Sequence, residues 1–253
     1  MKTVRAQKIY FPHIPKTGGV SIEHTLSRIS TLSACPAYYG EELLALGNIE
    51  NYGLFQGHLQ YFCKDFIGEA FTFTILRDPV ERAISGFQHI HRDKSHPSHH
   101  LIADSPDIIS ALEVPKLRVH MYNAMTLFLG LRPRFHEFKT QKAAIHHIMK
   151  NYDEKEVLDA AKKSLLEMDF IGFTETLNLD QHKLVKILNP DMASFFQETS
   201  KNQNPDKKTR TYRETLPDYV YEKLKEANRL DYELYEFALR VSEQNGWRQS
   251  SQE

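Results

Sequence analysis

Lys8-Ile9-Tyr10-Phe11-Pro12-His13-Ile14-Pro15-Lys16-Thr17-Gly18-Gly19-Val20-Ser21 is the stretch whose reading decides the fold. An apolar, strand-like run over Lys8–Ile14 ends at a proline, and Lys-Thr-Gly-Gly then opens a segment expected to be helical over Gly19–Ser30. A strand that delivers a glycine-rich turn to a helix start makes an anion cradle, because first-turn amides and the positive end of the helix dipole point at the same spot. Lys16 adds a cation beside it. The lysine precedes the glycines, whereas the common nucleotide loop Gly-x-x-x-x-Gly-Lys-Ser/Thr places it after them, so the order speaks against ATP held in the standard manner. The plainer alternative is a strand–turn–helix corner in which the glycines only permit the backbone geometry.

Further strands are expected at Gly53–Gln56, Phe71–Leu76 and Asp169–Phe173. Asp78 can cap a helix with Pro79 at its first position, running toward Ile90. His91–Pro106 is polar and reads as a loop. Helices are expected over Lys116–Leu129, Glu137–Lys150, Glu154–Leu166 and Leu177–Leu188, and a single amphipathic helix over Pro217–Glu243. Strands alternating with helices imply an α/β fold: a P-loop-like, mainly parallel sheet flanked by helices on both faces. A length of 253 residues favours one domain, 1–253.

Composition bounds the function. A formal net charge of −1 argues against a general nucleic-acid binder. No apolar run is long enough for a membrane span, and the N-terminus has no signal-peptide core. Cys35 and Cys63 lack metal-type spacing and are expected to be buried free thiols.

A second constellation is Arg77-Asp78-Pro79-Val80-Glu81-Arg82-Ala83-Ile84-Ser85. Arg77 closes the clearest strand, where ligands bind in open α/β sheets, and Ser85 follows about two helical turns later. Guanidinium and hydroxyl could grip a second phosphate; equally, Arg77 could pair with Asp78 or Glu81. Together the two segments resemble the phosphate-binding elements of sulfotransferases that use 3′-phosphoadenosine 5′-phosphosulfate (PAPS), and more narrowly the carbohydrate group with heparan sulfate and uronyl 2-O-sulfotransferases. Pro15–Ser21 matches that group's Pro-Lys-Thr-Gly-Ser-Thr-Ser loop, and Arg77–Arg82 matches its 3′-phosphate element. Phe170-Ile171-Gly172-Phe173-Thr174-Glu175, Thr209–Pro217 and Tyr232–Leu239 match later segments in the same order.

The resemblance implies roles residue by residue. Lys16, Thr17, Gly18, Gly19 and Ser21 would hold the 5′ side of the donor, and Arg77 and Ser85 its 3′-phosphate. In Gln56-Gly57-His58-Leu59, His58 falls on the proposed catalytic base of the relatives' His-Gly-His segment, while Gln56 replaces the first histidine and bears on acceptor choice. A glutamine exchanges hydrogen bonds but does not titrate. Lys201, Lys207, Lys208, Arg210 and Arg213 face one acid, Asp206, in a loop that alone reads as a solvated face; by resemblance Lys208, Thr209 and Arg210 cover the donor. His89, in the histidine-crowded stretch through His100, and Asn123 and Thr126 would lie near the acceptor. No ligand set points to a metal.

The expectation is therefore sulfuryl transfer from PAPS to an acceptor hydroxyl, that of a carbohydrate by resemblance, with His58 as base, Lys16 stabilising the leaving group, 3′-phosphoadenosine 5′-phosphate as product, and no metal. A nucleotide-dependent phosphotransferase and an inactive nucleotide-binding relative are the alternatives. No nucleic-acid partner is expected, and nothing fixes an oligomeric state. Starting at Met1 without the anchor of Golgi-resident relatives, the chain reads as a cytoplasmic, bacterial-type enzyme, with the Golgi lumen the alternative if an anchor was removed.

Overall fold

The apolar run that opens the chain becomes β1 (Ile9–Pro12), all four residues buried. It lies inside an all-parallel sheet of order β2-β1-β3-β4, with β2 at Leu54–Gly57, β3 at Phe71–Leu76 and β4 at Phe170–Phe173. The computed structural model describes residues 7–102, 105, 107–137, 139–148, 150–194 and 215–248. Its helices are α1 (Gly19–Ile29), α2 (Gly40–Ala45), α3 (Lys64–Ile67), α4 (Pro79–Arg92), α5 (His99–Ile102), α6 (Ile108–Leu112) and α7 (Pro115–Met121). They continue as α8 (Ala124–Gly130), α9 (Gln141–Ile148), α10 (Glu154–Leu166), α11 (Leu177–Leu188), α12 (Asp218–Ala227) and α13 (Arg229–Gln244).

Side chains alternate across the strands, so each face of the sheet gathers its own core. Ile9, Phe11, Phe73 and Ile75 pack with Ile22 and Leu26 of α1 and Leu184 of α11. Ile14, Leu76, Ile171 and Phe173 pack with Met125 and Leu129 of α8, Leu158 and Leu165 of α10, and Leu234 of α13. Helices thus cover both faces, as expected. Within fully buried β3 the two threonines are satisfied: Thr74 Oγ1 donates to the Pro12 carbonyl at 3.0 Å, and the Thr72 amide donates to Asp169 Oδ2 at 2.8 Å. Cys35 and Cys63 are buried free thiols.

The expected elements recur with several corrections. β1 and β2 occupy narrower or shifted spans, Ile9–Pro12 and Leu54–Gly57. The 91–106 stretch holds one helical turn, α5, after α4 extends to Arg92. The 137–150 helix shrinks to α9, with a separate 3₁₀ turn at Phe135–Glu137.

Two expected helices are each broken in two, and by one cause. The 116–129 run breaks at Tyr122-Asn123, where Asn123 adopts a left-handed φ of 43°, and the 217–243 run breaks at Asn228. The helix starts created by these breaks cap each other. Asn123 Oδ1 accepts from the Leu230 and Asp231 amides at 3.1 and 3.3 Å. In return, Asp231 accepts from Thr126 and Met125 at 2.7 and 3.1 Å, and Asn228 Oδ1 accepts from Asn123 at 3.0 Å. All three capping side chains are buried, and Asp231 Oδ2 also lies 3.8 Å from Nε of the buried Arg82.

Removing that carboxylate strands a buried guanidinium and uncaps α8. Asp231→Ala is expected to lower the unfolding free energy by about 3–5 kcal/mol, read from urea transitions; a loss below about 1 kcal/mol would show that the pair and caps contribute little.

Candidate active site

The site forms at the carboxyl ends of β1, β2 and β3, where a parallel sheet leaves loops and helix starts facing one crevice. β1 ends at Pro12, and His13 follows at the junction. Its amide donates to the Gly57 carbonyl at 2.9 Å, continuing the β1–β2 pairing by one residue. Its own carbonyl accepts from His58 Nδ1 at 2.8 Å. A carbonyl can only accept, so that bond puts the proton on Nδ1 and leaves the lone pair of the neutral ring on Nε2.

The His13 side chain builds the other half. Nδ1 donates to Glu23 Oε1 of α1 at 2.7 Å, and the ring lies 4.7 Å from that of His58. The Cδ2–Nε2 edge presses on Gly19: a methyl there would fall 1.9 Å from Cδ2 and 2.1 Å from Nε2. Gly19 is therefore required by close approach. Gly57 serves similarly for the opposite wall. Its φ is 129°, and a Cβ would meet the Tyr38 carbonyl at 2.8 Å. Tyr38 stands edge-on to His58 at 4.9 Å, and Tyr39 lies 5.9 Å from the same ring.

The loop before α1 is turned by two left-handed residues, Lys16 with φ 71° and Gly18 with φ 85°. Such a φ is uncommon for a lysine and needs support from its surroundings. Arg77 Nη1 donates to the Lys16 carbonyl at 3.2 Å, the Thr174 hydroxyl reaches the Thr17 carbonyl at 2.7 Å, and the Thr17 hydroxyl bonds back to Ile14 at 2.8 Å. Gly18 offers the start of α1 no side-chain cap. The Ser21 amide turns back to the Gly18 carbonyl at 3.1 Å, and the positive end of the helix dipole at such a start suits an anionic oxygen.

His13, Lys16, His58 and His89 line one cavity of about 500 Å³, so the structure gathers the expected base, cation and acceptor-side histidine. Burial, with His13 beside it, holds the His58 imidazole down to about 4, leaving it neutral and basic at ordinary pH. Burial and the nearby Arg92 and Arg77 bring the Lys16 ammonium down to about 8, poised to gain from an anion.

Other expected site residues are placed differently. Thr17 and Ser21 are buried in the loop and first turn of α1, and the Thr17 hydroxyl braces backbone. Arg77 takes the ion-pair reading of its position, meeting Glu81 at 3.4 Å, and it also braces the Lys16 carbonyl. Ser85 is half-buried on α4. Gln56 pairs with Phe11 in the sheet and is not part of the cavity wall; its Oε1 is buried without a partner among the described residues. Asn123 and Thr126, expected beside the acceptor, are buried in the reciprocal cap, and their neighbours Ala124 and Leu127 face the cavity instead. Lys208, Thr209 and Arg210 lie outside the described residues. Among the described residues, no group of three His, Cys, Asp or Glu side chains could hold a metal ion, and no helix is long and apolar enough to cross a membrane.

Sequence reasoning passed over His13, Glu23, Tyr38 and Tyr39. His13 carried a signal, since it stands between the end of a strand and Pro15-Lys16; Glu23 carried a weaker one, on the first turns of the helix that follows. No curated protein matches the chain. The model of the sulfotransferase family matches residues 1–238. With that match spanning nearly the whole chain, the protein belongs to the sulfotransferase family.

Proposed function

We propose that this protein transfers a sulfuryl group from PAPS to an acceptor hydroxyl, with His58 as general base and Lys16 as the cation at the leaving group. The observation that carries the reading is the carbonyl-held tautomer of His58, basic at Nε2, in the same cavity as Lys16. The donor set suits a phosphate-bearing ligand: backbone amides at an uncapped helix start, a partly desolvated lysine, and an arginine at the end of β3. Thr17, Gly18, Gly19 and Ser21 would frame the 5′ side. Arg77 and Ser85 would serve the 3′-phosphate, joined by Lys208, Thr209 and Arg210 on resemblance. On resemblance alone the acceptor hydroxyl is a carbohydrate's; the cavity walls argue below for another body around it.

Bound there, PAPS supplies a sulfuryl group on a mixed anhydride. The chain's own part is placement, charge stabilisation and proton removal, as in other loose in-line transfers. His58 Nε2 takes the acceptor's hydroxyl proton, and the Nδ1–H bond to His13 steadies the imidazolium as it forms. The Lys16 ammonium offsets charge developing at the loop. A nucleotide phosphotransferase is the weaker reading, because the lysine precedes the glycines and lies in a left-handed turn.

Lys16→Ala and His58→Ala should each lower turnover by about a hundredfold or more, measured with labelled donor; near-normal turnover in the His58 variant would remove it from the base role. Arg77→Ala should chiefly weaken donor binding, since it loosens the Lys16 backbone as well as any phosphate contact.

Activity requires His58 unprotonated and Lys16 protonated. With the free-protein groups near 4 and 8, kcat/KM for the donor should fall on the acid side of the first as His58 takes a proton, and on the alkaline side of the second as Lys16 loses one. In pH–rate profiles Lys16→Arg should abolish the alkaline limb, because a guanidinium keeps its proton. A limb unmoved by that change would belong to another group.

Ligand stabilisation separates the two nucleotide readings. 3′-Phosphoadenosine 5′-phosphate should raise Tm at concentrations where ATP–magnesium leaves it nearly unchanged, and the reverse order would favour the phosphotransferase.

A further inference from the structure

The wall of the cavity shared by His58 and Lys16 is unusual for a sugar site in what it omits. Among the described residues that line it there is no Asp, Glu, Asn, Ser or Thr, and Gln60 is the only amide. A sugar ring presents several hydroxyls, and each one buried without a partner weakens binding, which is why sites built for hydroxyls reject analogues through paired polar groups. This wall is built from the opposite material. Leu127, Phe128, Leu131, Ala124 and Ile90 supply aliphatic and aromatic surface, and Val20, Tyr39 and Val119 add exposed apolar groups at 38%, 46% and 39% accessibility.

The polar side chains present are buried, paired or uncharged. Arg82 is 1% exposed, donates to the His120 carbonyl at 3.1 Å and lies 3.8 Å from Asp231, while its Nε and Nη2 make no hydrogen bond among the described residues. His96 Nδ1 accepts from the Ser98 amide at 3.1 Å, so that nitrogen carries no proton, and burial lowers both His89 and His120, the latter to about 4. Lys16 belongs to the donor. Little among these described groups is left to meet the carboxylates of a polyanionic glycan.

The rings point the same way. Tyr38 and Tyr39 stand around His58, where the reacting hydroxyl must arrive, and His96 lies edge-on to His89 and His120 at 5.7 and 5.3 Å. These rings are packed against one another, and the aromatic surface they leave toward the cavity can take a further ring edge-on or offset. The cavity measures about 500 Å³, and with its Lys16 end given to the donor the remainder suits a small molecule rather than a chain of sugars.

We infer that the hydroxyl brought to His58 is a phenolic one, carried on a compact aryl body of one or two fused rings, and not that of a polyhydroxylated sugar. This rests on the sulfuryl-transfer reading for the chemistry, while aryl binding can be measured without it. In the reaction, the phenol O–H bond breaks as its proton passes to His58. The oxygen bonds to sulfur while the sulfur–oxygen bond of the donor anhydride breaks, and the bisphosphate departs with that electron pair.

The test uses the whole protein loaded with 3′-phosphoadenosine 5′-phosphate, titrated separately with 2-naphthol and a desulfated uronate-containing tetrasaccharide; both are then offered with labelled PAPS. 2-Naphthol should bind the loaded protein where the tetrasaccharide does not, and its kcat/KM should exceed the sugar's by about tenfold or more. Val119→Asp, at an exposed position on the wall, should raise KM for 2-naphthol about tenfold while leaving bisphosphate affinity unchanged. Preferential binding or labelling of the tetrasaccharide overturns the inference, as does failure of 2-naphthol to bind the loaded protein. Naphthol bound without label transfer to any acceptor supports the aryl cavity and overturns the sulfuryl-transfer reading instead.

Discussion

His13 stands where β1 stops, and four bonds or contacts radiate from it. The amide reaches β2 through Gly57, the carbonyl holds His58, Nδ1 holds Glu23 of α1, and the ring edge seats on Gly19. The parallel register of Phe11 against Gln56 and Pro12 against Gly57 sets the first two, because it delivers Gly57 opposite the end of β1 and His58 one residue later. A slip by one residue would turn His58 to the other face of the sheet and break the carbonyl bond. Strand pairing, an ordinary feature of the fold, is thus what sets the tautomer of the histidine that faces the cavity.

The loop on the other side of the crevice is held by a comparable convergence. Lys16 accepts a backbone conformation that costs free energy, and the compensation comes from elements far away in the chain: Arg77 at the end of β3 and Thr174 just beyond β4. Each brace lies at the carboxyl edge of the sheet. The amides at the start of α1 are therefore fixed before any anion arrives, and preorganised donors of this kind lose little to rearrangement. That Arg77 already carries a backbone contact and an ion pair within its own helix start means its influence on the cradle runs through Lys16 as well as through its own charge.

Much of the fold was legible because the deciding signals are local. The β-branched and aromatic run Phe71–Leu76, the Asp78-Pro79 helix start, and the helices at Glu154–Leu166 and Leu177–Leu188 are written in neighbouring residues, and they emerged with the expected bounds or nearly so. The broken helices were not legible. Asn123 and Asn228 sit inside runs whose apolar spacing continues past them, and only partners about a hundred residues away turn them into caps. The site divides in the same manner. Lys16 and the glycines announce themselves in sequence, whereas the pairing of His13 with Glu23 depends on how α1 turns back from β1, and the approach of Tyr38 to Gly57 on one positive φ. Asn123 and Thr126 show the converse: resemblance drew attention to their segment, yet the side chains that face the cavity are those of their neighbours Ala124 and Leu127.

The mutual capping of α8 and α13 has a consequence for how the molecule comes into being. The strand, loop and histidine of the crevice are all contributed by the first quarter of the chain, yet the wall opposite them, carried by Ala124, Leu127 and Phe128, starts from a turn that closes only on Asn228 and Asp231. As the polypeptide leaves the ribosome, β1 and β2 can therefore pair early, while the capped start of the far wall waits until almost all of the chain has emerged. A product halted before those two residues would still seat α8 on α10, but with the first turn of α8 uncapped.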